Sequence, residues 1–145
     1  TGWGNGITVA EGETTGSSTV DPFLKYCSDT TNFRNATTKT AIGDGRPNTT
    51  SSANGVPTCT TGAIFHAELY AGNGKTDWHL PSKDELYLMS SVLRARGFGG
   101  FSVGHYWSSS ESHPRYAWTQ YFADETSFLS LKGGANYVRP VRAFG

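Results

Sequence analysis

The stretch GKTDWHLPSKDEL, at positions 74–86, sets Asp77, His79, Asp84 and Glu85 within nine residues beside Trp78. Carboxylates and an imidazole at this density are the raw material of a metal site or of acid/base catalysis, provided that their side chains converge. The local pattern gives them other work. Ser82 and Glu85 form an S-x-x-E capping box ahead of apolar Leu86, Met89 and Leu93, so Asp84 and Glu85 fall in the first turn of a helix, where the dipole favours carboxylates. Asp77 lies in a glycine-rich turn that suits an Asp bonded to its own backbone, and in an extended segment His79 faces away from Trp78. The stretch therefore reads as a structural corner packed on Trp78, Leu80 and Pro81, with no metal expected. HExxH and EF-hand patterns are absent from the sequence, and His66, His79, His105 and His113 share no ligand spacing. Ser108–Ser112, SSSES, lacks the G-x-S-x-G elbow of a hydrolase nucleophile, and the glycines of GWGNG and GFGGFSVG do not link a strand to a helix as a phosphate cradle requires. No enzyme activity and no cofactor are expected.

These residues must be positioned by a fold of modest size. The 145 residues suit one domain, 1–145, and no apolar run is long enough to cross a membrane as a helix. Residues 1–62 are mostly polar and irregular, with RPNTTSSANGVP reading as a long loop. The triplets NAT at Asn35 and NTT at Asn48 read as chance products of a Thr-rich region. TGAIFHAELYAG predicts a short helix with Gly72 as a left-handed cap, and Ser82 to Arg96 predicts a second helix, with Arg94 and Arg96 at the end where cations suit the dipole. A glycine-rich turn then leads into a strand at GHYW, followed by strand candidates YAWTQYF, SFLSLK and NYVRPVRAF. Short loops imply mainly antiparallel pairing, and Pro140 suits an edge or a bulge. The expectation is an α+β domain, two helices packed on a small, mainly antiparallel sheet.

Cys27 and Cys59 are the only cysteines and belong to no CxxC or Cys/His cluster. A single disulfide is favoured over two reduced thiols, because it would tether a segment poor in apolar residues. The start TGWGNG, without Met, is the expectation for a portion of a larger protein, and a Thr, Ser, Gly and aromatic-rich composition of low charge favours export.

Formal charge is zero overall but uneven: four basic and six acidic residues through Gly72, then eight basic and six acidic from Asn73 on. No nucleic-acid partner follows from that total. Arg94, Arg96, Arg115, Lys132, Arg139 and Arg142 lie in a helix end, loops and strands able to share a surface, and the planar guanidinium suits sulfate or carboxylate. Arg94, Arg96, Arg115, Lys132 and Arg142 are the candidate ligand-binding residues; packing and ion pairing inside the fold are the competing role for each.

DWHLPSKDEL, YWSSSE, AWTQYF and YVRPVRAF, in that order, resemble the motif series of the C-terminal domain of the bacterial collagen-like adhesin Lcl and its relatives. The likeness runs from about Gly72 to the end, and the family usually has Arg where this chain has His79. The same order is more remotely similar to C-type-lectin-like domains of the formylglycine-generating type, which implies a C-type-lectin-like outline. The resemblance implies an exported head domain, secreted or on the bacterial cell surface, that forms a homotrimer on a collagen-like stalk. It also implies binding of sulfated, heparin-like glycosaminoglycans in host-cell attachment and biofilm formation. A trimerisation cap without glycan binding and a calcium-dependent or neutral-sugar lectin are the alternatives, although EPN and QPD triplets are both missing from the sequence.

Overall fold

The computed structural model describes residues 7–9, 21–34, 39–97 and 100–143. The GWGNG glycines, Asn35 and part of the GFGG turn lie outside them. Elements run in the order β1 (Ile7–Val9), β2 (Phe23–Leu24), α1 (Gly45–Ala53), α2 (Ala63–Leu69), α3 (Lys83–Leu88), β3 (His105–His113), β4 (Tyr116–Tyr121), β5 (Ser127–Leu131), β6 (Asn136–Tyr137) and β7 (Val141–Ala143). Five strands form one sheet in the order β2-β6-β3-β4-β5, and β1 pairs with β7 in a second. Pairing is antiparallel except between β3 and β6, which meet in parallel at Tyr106 and Tyr137. The α+β class is as the sequence implies.

Successive residues of β3 point to opposite faces of the sheet, and each face has its own apolar cluster. Trp107 packs with Tyr26, Ile64, Ala67 and Leu80 on one side, whereas Tyr106 packs with Leu86, Met89, Leu93 and Phe122 on the other. The expected second helix is present with its capping box: Ser82 Oγ accepts from the Glu85 amide at 3.3 Å and Glu85 Oε1 accepts from the Ser82 amide at 2.9 Å. Its pitch changes on the way, from α to a π turn over Met89–Leu93 and a 3-10 turn over Arg94–Arg96, before Gly97 closes it at φ 76°. The first expected helix stops at Leu69 rather than Gly72. Tyr70 is extended and its ring stacks edge-on against Trp78 at 5.1 Å, so the chain leaves the helix where that ring is anchored; Gly72 instead opens a 3-10 turn.

RPNTTSSANGVP is not the loop expected, because most of it belongs to α1. No apolar stripe announces this helix, which buries hydrogen-bonded polar groups in its place. Thr49 Oγ1 donates to Gly45 O at 2.7 Å and accepts from the Leu80 amide at 3.0 Å, and Asn48 Nδ2 donates to Lys39 O at 2.8 Å. Pro47 is tolerated in the first turn, where its missing N–H has no partner to lose. NYVRPVRAF likewise divides into β6 and β7, in different sheets, with Pro140 between them where no ladder donor is needed.

Two buried ion-pair systems hold the irregular regions. Glu111 accepts from the Arg34 amide at 2.9 Å and from Lys132 Nζ, which also donates to Asn32 O at 3.0 Å. Arg34 in turn reaches Asp29 at 2.7 Å and Ser52 O at 3.2 Å. Asp21 takes two hydrogen bonds from Arg139, at 2.7 and 2.9 Å, and a third from Tyr106 Oη. A disulfide joins Cys27 to Cys59, both within the Trp107 cluster.

Candidate functional site

In the motif DWHLPSKDEL the acidic and imidazole groups separate. His79 and Glu85 do meet, with Nε2 3.5 Å from Oε1 and both side chains buried. Glu85 also accepts from the Gly43 amide at 2.8 Å. Burial alone would raise its pKa, but the hydrogen bond and charge of His79 and the two amides outweigh it and hold the carboxyl below its usual range. Asp84 stays exposed, and Asp77 turns outward to Arg142 rather than serving only its own turn. No group of three or more metal-ligating side chains gathers among the described residues.

The bridge between His79 and Val141 determines what lies around Asp77. In antiparallel register it sets Trp78 opposite Arg142, whose guanidinium carbon lies 5.9 Å from the indole centroid. Arg142 binds Asp77 through Nε at 2.7 Å and Nη2 at 3.0 Å, and this hydrogen bonding is the main reason the Asp77 carboxyl titrates below its usual range. The first turn of α1 comes in from a third direction. Gly45 packs so closely that a Cβ there would collide with Glu85 Oε1 and lie 2.7 Å from His79 Cδ2. Arg46 is thereby delivered to the same place, where Nη1 donates to Trp78 O at 3.1 Å. Lys75, exposed, stands two residues before Asp77 on the same turn. Two cations from two segments, Arg46 and Arg142, thus act on one carboxylate on the rim of a buried tryptophan, with Lys75 close by in the chain. Arg46 occupies the first turn of a helix, where the dipole disfavours a cation. Helix stability therefore does not explain its placement.

The five candidate basic residues do not form one patch. Lys132 is fully buried and ion-paired to Glu111, so it is withdrawn from the surface set: its charge is spent inside the protein. Arg139 is buried on Asp21. Arg142 belongs to the Trp78 ledge, while Arg94 and Arg96 stand at the end of the helical run, with Arg94 Nη2 3.9 Å from Glu125. Arg115 lies in the β3–β4 turn, at the opposite end of β4 from Glu125 and roughly 20 Å away by strand rise. Arg46 was missed by sequence reasoning, since charge through Gly72 is net acidic and α1 was read as a loop; Lys75 was passed over because the candidates were drawn from the helix end and strands that follow it.

The α+β scaffold thus brings Arg46 and Arg142 together at the rim of Trp78 and commits its buried charges to holding loops. The chain belongs to the Lcl C-terminal domain family, an adhesin-associated family, which it matches over residues 14–142. No curated protein matches it.

Proposed function

We propose that this is the head domain of a secreted or cell-surface bacterial adhesin, that it binds sulfated, heparin-like glycosaminoglycans, and that it acts as a homotrimer in host-cell attachment and biofilm formation. Family membership supports the adhesin reading. The observation that carries the ligand class is the convergence of Arg46 and Arg142 on the rim of Trp78, with exposed Lys75 two residues before Asp77, because guanidinium groups match sulfate and carboxylate oxygens in pairs. Arg94, Arg96 and Arg115 are secondary contacts for a chain long enough to leave the ledge. A net-neutral subunit holds a polyanion weakly, and three copies on one head make later contacts intramolecular, raising avidity by roughly a hundredfold or more.

The test is binding to immobilised heparin at two salt concentrations, with and without a chelator, alongside light scattering. Salt-sensitive, chelator-insensitive binding by a trimer is expected. Binding lost on chelation would instead indicate a calcium lectin, and a trimer that ignores heparin would leave only a structural cap.

A further inference from the structure

The residues at the rim of Trp78 are chain neighbours of residues packed on one buried pair, His79 and Glu85. Trp78 precedes His79, Arg46 follows Gly45 and Arg142 follows Val141. His79 and Val141 exchange two backbone hydrogen bonds, each of 2.8 Å. A Cβ on Gly45 would lie 2.2 Å from Glu85 Oε1 and 3.0 Å from His79 Nε2, so the first turn of α1 rests directly on the pair. Glu85 also holds the approach to that turn, through the Gly43 amide at 2.8 Å. The pair is therefore the common support of Arg46, Trp78 and Arg142, and both of its side chains are all but closed to solvent.

This support contains a group able to change its charge. Both ring nitrogens of His79 face acceptors: Nε2 lies 3.5 Å from Glu85 Oε1, too far for a well-formed hydrogen bond, and Nδ1 lies 3.5 Å from Asp77 O. A neutral imidazole has one N–H and serves only one of them, whereas the imidazolium donates to both. Among the described residues Glu85 is the ionisable side chain that meets the ring. From the other elements packed there, α1 brings the backbone of Gly45 and β7 the peptide groups of Val141, which bond the His79 backbone. Arg46 is engaged on Trp78 O, and Asp77 and Arg142 are engaged on each other. Glu85 stays ionised where imidazoles gain their proton, because its carboxyl is held below the usual range. Protonation of the ring thus converts a stretched contact into a charge-assisted hydrogen bond, which is shorter and stronger.

We infer that His79 is a positioning residue of the anion site: its imidazolium grips Glu85 and fixes Arg46 and Arg142 at the spacing the ligand needs, so that glycan binding strengthens as the pH falls from about 8 to about 5. The inference rests on the glycosaminoglycan reading above and adds its regulation. The sign follows from linkage: a ligand that prefers the protonated form binds more tightly in acid and, reciprocally, raises the affinity of the ring for its proton.

Heparin affinity of the domain, measured by surface binding at constant salt between about pH 5 and pH 8, tests this against His79→Gln, which keeps a polar group without the change of charge. Wild-type affinity should rise toward acid by about fivefold more than that of the variant, a coupling at the low end of the usual range. His66, His105 and His113 are common to both proteins, so the difference between the two profiles belongs to His79. In an Arg46→Gln background that difference should shrink. An undiminished difference there would mean that the ring acts on the ligand through its charge alone, and would overturn the positioning role. In wild-type protein, NMR of the His79 ring should show heparin raising its proton affinity by about the same fivefold, which decides the matter even if His79→Gln does not fold. Parallel profiles for two folded proteins, or a His79 titration that ignores bound heparin, would overturn the inference and leave the glycosaminoglycan reading standing. Wild-type protein that binds no heparin at any pH would overturn both.

Discussion

Arg142 clasps Asp77 through two parallel hydrogen bonds, Nε to Oδ1 at 2.7 Å and Nη2 to Oδ2 at 3.0 Å. Half of the Asp77 side chain remains in solvent. The pair therefore has two opposed effects on an arriving anion. It fixes the guanidinium against Trp78, and it lowers the local charge. Arg46, held by backbone carbonyls, contributes its charge without a clasping carboxylate of that kind among the described residues.

Replacing Asp77 with Asn keeps an acceptor for Arg142 and removes the opposing charge. Heparin affinity at low salt should rise by about threefold, the effect of deleting one charge some 7 Å from a sulfate in water. Surface binding measurements would show it. Weakened binding by a folded Asp77→Asn domain would mean that the carboxylate orients the site more than it opposes the ligand.

Ser82 closes the capping box and also donates to Ala41 O at 2.8 Å from a fully buried position. Ser82→Ala should cost about 1 kcal/mol, the usual loss for an N-cap, because Ala41 is exposed and its carbonyl keeps the Asp44 amide as donor. A denaturant melt would register this as a lower midpoint at unchanged slope.

Glu85 ties stability to pH. Its folded pKa lies below the unfolded value, so its contribution is fully present above the unfolded carboxylate range and disappears as pH falls through the folded value. Wild-type melting temperature should drop between about pH 5 and pH 3 by more than that of Glu85→Gln. Parallel curves for the two proteins would remove Glu85 from the account of acid sensitivity.

Lys132 and the disulfide should behave as fold determinants with no direct part in binding. Lys132→Met leaves Glu111 buried without its cation and should cost about 3–5 kcal/mol. Reduction of Cys27–Cys59, 32 residues apart, should cost about 3–4 kcal/mol on the loop-entropy account. The unfolded, non-reduced chain should show no titratable thiol. Full stability in Lys132→Met with loss of heparin binding would return Lys132 to the surface set.

The parts of this fold that were legible in the sequence are those governed by local pattern. Ser82 and Glu85 announced their helix because a capping box needs only three residues of spacing, and alternating strands between short turns announced β3 to β5. Helix α1 was illegible because Asn48, Thr49 and Ser52 are buried through hydrogen bonds, and hydrophobic periodicity cannot register that. The binding surface was only partly legible for the same reason. Arg142 was among the candidate ligand-binding residues, but nothing in its neighbourhood along the chain foretold Arg46, which arrives by way of α1. Lys132 looked like any other surface lysine until Glu111, 21 residues earlier, was found beside it.

The Trp78 ledge is the central anion site, and heparin affinity measured across a salt series for wild type and for Arg46→Gln/Lys75→Gln tests it most directly. Both positions are exposed, so the double variant should fold and melt like wild type. By analogy with counterion release on nucleic acids, its affinity should fall by about tenfold or more and its salt slope by about 1.5 to 2. A folded double variant that binds heparin with wild-type affinity and slope would contradict the assignment.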